Sequence, residues 1–94
     1  MYFIEASAKF KRDKKRLVRR GYDMALLQET IDLLAAGEPM PESYSDHALK
    51  GSMKEYRECH VAGKGDWLLV YKKYDNKLVL LLSETGTHQD VFGW

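Results

Sequence analysis

The spacing of apolar residues changes part-way along this chain, and the change leaves few folds open to it. Between positions 8 and 36 the apolar residues recur at intervals of three and four, whereas from position 52 onward they alternate with polar ones or form short runs. A helix repeats roughly every 3.6 residues and a strand every two, so a helical half precedes a sheet half. The opening MYFIEA reads as a short strand. Ser7 can cap a helix with Phe10, Leu17 and Val18 as its buried stripe and Gly21 as its stop. Asp23 caps a second helix carrying Met24, Leu27, Ile31 and Leu34, which Gly37 and Pro39 end. Residues 37–51, GEPMPESYSDHALKG, have no sustained period and read as a loop. Then MKEYRECHV alternates, placing Tyr56, Glu58 and His60 on one face and Arg57, Cys59 and Val61 on the other. DWLLVYKKY and KLVLLLSE follow, separated by the two-residue hairpin signal Asp75-Asn76. The expectation is an α+β single domain over residues 1–94, with two N-terminal helices packed on one face of a small, mainly antiparallel sheet.

Ninety-four residues support one core that buries about 60 to 65% of the unfolded chain's surface. Apolar residues at 45% and charged ones at 31% describe an ordinary soluble domain. No apolar run approaches the roughly 18 residues of a membrane span, and the N-terminus has no signal-peptide pattern, so a cytoplasmic protein without a membrane partner is expected. Cys59 is the only cysteine; it makes no internal disulfide and reads as a buried, inert thiol. HExxH, GxSxG and P-loop patterns are absent, and GKGDW has too few glycines for a nucleotide fingerprint, so neither metal nor cofactor is expected.

The net charge of +1 conceals a cluster: eight of the 15 lysines and arginines lie in KFKRDKKRLVRR, residues 9–20. Such a run forms either a solvated helix face or a contact for phosphate or an acidic partner through Lys14, Lys15 and Arg19. Charge alone does not choose between them.

All three histidines, His47, His60 and His88, fall in the second half, together with Asp66 and Arg57. Imidazole accepts and donates protons near neutrality, which suits acid-base work. Taken singly, each has a structural explanation; Asp66 can simply begin a strand, and Arg57 can pair with a neighbouring glutamate.

Three motifs in order, DHALKGSMKEYRECHV, DWLLVYK and TGTHQDVFG, resemble the YafQ branch of the RelE/ParE superfamily of bacterial toxin-antitoxin systems. The likeness covers residues 46–93, and the basic two-helix half agrees in layout. It implies a RelE-like domain and a messenger-cutting endoribonuclease, usually ribosome-associated and neutralised by a cognate antitoxin. It also places His47, His60, Asp66, Trp67, His88 and Phe92 on site positions. RNA cleavage without metal uses a ribose 2′-OH as nucleophile, so a base takes its proton and an acid protonates the leaving 5′-oxygen. The resemblance gives His88 the acid role, His60 and Asp66 the base or its orientation, and His47 a phosphate or proton-transfer role. Phe92 and Trp67 are candidates to stack on an unpaired base, with core packing the alternative for each. In TGTH, the glycine permits a turn that delivers His88 to the face carrying His60. The chain departs from the pattern at Glu84, where relatives carry arginine; a carboxylate there repels phosphate unless Arg57 or Lys50 substitutes. The alternative to a nuclease is a non-catalytic, ParE-like or antitoxin-binding protein that acts through protein contacts.

Overall fold

Ser7 joins the first strand, β1 (Phe3–Ala6), to the first helix, α1 (Ala8–Arg19), and does so with one hydroxyl. That oxygen accepts from the Phe10 backbone N–H at 2.9 Å and donates to the Ser83 carbonyl at 2.7 Å, which caps the helix and ties its start to a distant strand. The buried stripe of α1 is Phe10, Asp13 and Leu17, whereas Val18, expected inside, is 52% exposed. Positions 10, 13 and 17 share one side of the helix, and residue 18 is turned roughly 100° beyond Leu17, outside that stripe. A carboxylate therefore occupies the middle of an otherwise apolar stripe. Asp13 is stabilised there by Lys9, Arg16 and the Thr85 backbone N–H, each 3.2 Å away.

The computed structural model describes residues 1–63 and 65–93. The second helix, α2 (Met24–Ala36), starts at Asp23, whose side chain accepts from Ala25 N–H, and ends at left-handed Gly37 with φ of 80°. Leu27, Ile31 and Leu34 are buried as their spacing predicts, and Thr30 joins them by donating its hydroxyl to the Leu26 carbonyl.

Segment 37–51 is more ordered than the loop its sequence suggests. Short 3-10 turns at Glu42–Tyr44 and Gly51–Met53 flank a two-residue strand, β2 (His47–Ala48). It is followed by β3 (Arg57–His60), β4 (Leu68–Tyr74), β5 (Val79–Gly86) and a terminal helix, α3 (His88–Phe92). The sheet runs β1-β5-β4-β3-β2, antiparallel except where β1 lies parallel to β5. The β4–β5 connection spans four residues, 75–78, rather than the two of Asp75-Asn76, and Leu78 takes a positive φ of 54°.

Both long helices cover one face of the sheet, and the core between them includes Phe10, Leu17, Leu27, Leu34, Leu69, Tyr71 and Leu80. Cys59 is fully buried, and that burial pushes its thiol up to about 12, consistent with an inert structural role. No helix is long and apolar enough to cross a membrane among the described residues.

Candidate active site

Strand register assembles the site. His47 pairs with Glu58, Glu58 with Val70, and Val70 with Glu84, giving one row across four strands. The next row on that face is His60, Leu68 and Gly86. Two residues beyond Gly86 stands His88. The imidazoles of His60 and His88 meet edge to face with centroids 6.0 Å apart, and Phe92 lies 6.4 Å from His88 one helical turn on.

Each histidine turns the same ring nitrogen toward an oxygen. Nδ1 of His47 is 2.6 Å from the Ser45 carbonyl, and Nδ1 of His60 is 2.8 Å from the Gly65 carbonyl. Nδ1 of His88 contacts Asp66 Oδ1, which also accepts from the His88 backbone N–H at 3.0 Å. With Nδ1–H donated, Nε2 is the nitrogen left to exchange a proton. His60 and His88 differ in what stands behind them, a neutral carbonyl for one and a carboxylate for the other. The hydrogen bond from the His88 ring, followed by that from its backbone, holds the Asp66 carboxyl below its ordinary range. Asp66 thus stands behind His88, the residue assigned as acid, rather than behind a base.

The local fold fixes His88. Thr87 and Asp90 form a reciprocal capping box at the start of α3, with Asp90 N–H reaching Thr87 Oγ1 and Thr87 N–H reaching Asp90 Oδ2 at 3.0 Å. A β-carbon at Gly86 would lie 2.7 Å from that of Asp90, so the close approach of strand end and helix requires glycine there. Arg20, just past α1, donates to Asp90 Oδ2 at 2.9 Å and anchors α3 to the helical layer. The Arg20 hydrogen bond, with a further one from the Thr87 N–H, lowers the Asp90 carboxyl to about 2. A depressed carboxylate contributes stability above its unfolded pKa, near 4 for aspartate, and loses that contribution as the pH falls through its folded value. Asp90→Asn keeps the cap but not the charge. It is expected to lower the melting temperature at neutral pH, with the gap to wild type closing between about pH 4 and pH 2; thermal unfolding across that range measures it, and an unchanged gap at the acid end would remove the ion pair from the account.

A family model described as "Bacterial toxin of type II toxin-antitoxin system, YafQ" matches residues 2–93. The chain belongs to the YafQ family. It is 41% identical over 91 residues to the mRNA interferase toxin YafQ of Escherichia coli strain K12, covering 96% of this chain and 95% of that one. The E. coli DinJ-YafQ complex superposes with a TM-score of 0.88 at 39% identity, over 99% of this chain and 100% of that one. A metal-bound toxin from Helicobacter pylori is similar too, with a TM-score of 0.88 and 42% identity over 98% of this chain and 100% of that one.

Within this YafQ-family fold the expected site residues separate into two groups. His47, Lys50, His88 and Phe92 line one cavity, and His60 and Asp66 stand beside it against His88. Trp67 does not offer its ring for stacking. It is buried to 8% exposure, its indole N–H donates to Thr85 Oγ1 at 2.9 Å, and Tyr22 meets it edge-on, so it is a core residue. Arg57 does not share the face of Glu84, where the resemblance led an arginine to be expected. Its row is Ala48, Tyr71 and Leu82 on the helix-covered face, and its guanidinium bonds Asp46 at 3.2 Å. Lys14, Lys15 and Arg19 are exposed on α1. Two residues escaped the sequence reading. Lys9 stands 3.5 Å from Glu84 and offsets the charge of its carboxylate. Glu58 is 5% exposed in the central row, a position that its alternation with His60 already marked. Among the described residues no group of three or more His, Cys, Asp or Glu converges as a metal site.

Proposed function

We propose that this chain is the toxin of a type II toxin-antitoxin pair and an endoribonuclease that cuts messenger RNA, in association with the ribosome, by acid-base chemistry. The observation that carries the reading is the pair of imidazoles 6.0 Å apart, one backed by a carbonyl and the other by a carboxylate. His60 Nε2 takes the proton from the ribose 2′-OH, whose oxygen attacks the adjacent phosphorus. His88, as the imidazolium steadied by Asp66, gives its Nε2 proton to the departing 5′-oxygen. The products are a 2′,3′-cyclic phosphate and a 5′-hydroxyl. His47 serves as a second proton-transfer or phosphate group, Lys50 as the cation at the phosphate, and Phe92 as a stacking face. The exposed cations Lys14, Lys15 and Arg19 meet RNA phosphate or an acidic antitoxin segment, which silences the enzyme. The work is cytoplasmic, where messages and ribosomes are.

Because the nucleophile belongs to the nucleic acid and both proton transfers are made by named side chains, cleavage is expected to survive excess EDTA. The test is purified protein with a defined message, ribosomes supplied in magnesium for binding and the metal then titrated away, with the cyclic-phosphate end as readout. Loss of cutting that zinc or manganese alone restores would overturn the mechanism.

A further inference from the structure

Both imidazoles assigned to proton transfer take their orientation from one connection, that between β3 and β4. The Gly65 carbonyl stands 2.8 Å from His60 Nδ1, and the next residue, Asp66, holds His88. A connection with that duty has to keep its own shape, and its backbone does not form unaided. Ala62 is left-handed, with φ of 60° and ψ of 12°, a conformation that a residue with a β-carbon keeps only where its surroundings fix it. Just before it, the Val61 N–H donates to the Trp67 carbonyl at 2.8 Å and closes the strand ladder. The Ala62 N–H turns instead to α2 and donates to Thr30 Oγ1 at 3.0 Å. Thr30 is fully buried midway along that helix, and its own hydroxyl proton goes to the Leu26 carbonyl at 3.0 Å, which leaves a lone pair for Ala62.

We propose that Thr30 is a positioning residue for RNA cleavage: from within α2 its hydroxyl fixes the β3–β4 connection and, through Gly65 and Asp66, the orientation of His60 and His88. The inference rests on the nuclease reading above and deepens it. A carbonyl only accepts, so the contact with Gly65 keeps the proton of His60 on Nδ1 and leaves Nε2 free to act as base. A slack connection releases that hold, the ring populates the Nε2–H tautomer, and the nitrogen that should take a proton already carries one. Thr30 has no exposed surface with which to touch RNA, so its contribution belongs in kcat rather than in KM. Misplacement of a reacting group by about 1 Å, caused far from the chemistry, costs on the order of 10²-fold.

The test sets Thr30→Val, which keeps the branched shape and removes the hydroxyl, beside Thr30→Ser, which keeps the hydroxyl and loses the methyl. Thr30→Val is expected to lower kcat about 10- to 100-fold with KM for the message little changed. Thr30→Ser is expected to cut at close to the wild-type rate, whatever its melting temperature. Long-range proton–nitrogen correlation spectra of the imidazoles, recorded on the full chain without RNA, read the tautomer directly. His60 should be Nδ1–H in the wild type and in Thr30→Ser, and should lose that preference in Thr30→Val. The wild-type spectrum needs no variant, so a His60 without the Nδ1–H preference overturns the inference even if Thr30→Val fails to fold. A folded Thr30→Val that cuts like the wild type, or a kcat that follows melting temperature rather than the hydroxyl across the two variants, would overturn it while leaving the nuclease intact. A wild type that cuts no message with ribosomes present, its tautomers as expected, would overturn the nuclease reading and this inference with it.

Discussion

His88→Ala is expected to lower kcat/KM for messenger cleavage by about 10² to 10⁴, the usual contribution of a positioned general acid. Three features of the site place so large an effect there. The imidazole is fixed by both the ring and backbone contacts of Asp66, so its Nε2 is presented in one orientation. The capping box of Thr87 and Asp90 holds the residue before it, and Arg20 ties that box to the helical layer. The side chain itself remains 39% exposed, so its removal opens little cavity and costs the fold little. The loss should therefore appear in kcat, with antitoxin affinity and melting temperature nearly unchanged. Single-turnover cleavage beside an antitoxin titration separates these quantities. If His88→Ala cuts within tenfold of wild type, the leaving oxygen receives its proton from elsewhere, and His47 becomes the group to remove next.

What the sequence made legible was whatever is decided within a few residues. The caps at Ser7 and Asp23, the stop at Gly37 and the shared face of Glu58 and His60 follow from local spacing and side-chain chemistry, and all are present. Val18 was misread because apolar character was taken as burial, and Asp13 drew no reading at all, although a carboxylate with three donors around it can sit inside a helix stripe. One of those donors, the Thr85 amide, lies 72 positions away, and no local pattern encodes such a partner. Asp66 likewise meets His88 across 22 positions. Short elements were equally opaque: β2 has two residues and α3 has five, fewer than any periodicity needs to declare itself. The chemistry-bearing residue types were visible throughout, and alternation already set Arg57 on the face opposite His60; the burial of Trp67 against Thr85 and Tyr22 became clear only with the fold.

Glu84→Arg is expected to raise the cleavage rate by roughly 10- to 100-fold, since one charge-assisted contact to a phosphate whose negative charge grows in the transition state contributes on that order. Glu84 lies in the row of Val70 and Glu58, adjacent to the row of His60 and Gly86, within reach of a long cationic side chain. In the native chain its carboxylate faces Lys9 at 3.5 Å, so the site carries a neutralised pair where a free cation would serve better. Two effects are mixed in this substitution, and Glu84→Gln separates them. Glutamine only removes the negative charge and releases Lys9 toward Asp13, which it already contacts at 3.2 Å, and should give a gain of a few fold. Arginine adds a positive charge as well, and its further gain should shrink as salt rises, because an exposed cation is screened within about a Debye length. Lys9 is 48% exposed and can swing into solvent, so repulsion between the two cations should not cancel the benefit. A slower Glu84→Arg beside an unchanged Glu84→Gln would mean that the Lys9–Glu84 pair positions the strand end and that the phosphate lies elsewhere. A chain that binds its antitoxin yet cuts no message, even with arginine at 84, would instead support action through protein contacts alone. A gain at Glu84→Arg that vanishes when His88→Ala is combined with it would place both residues on the same phosphate, because a cation that stabilises the transition state accelerates only a reaction whose acid is present.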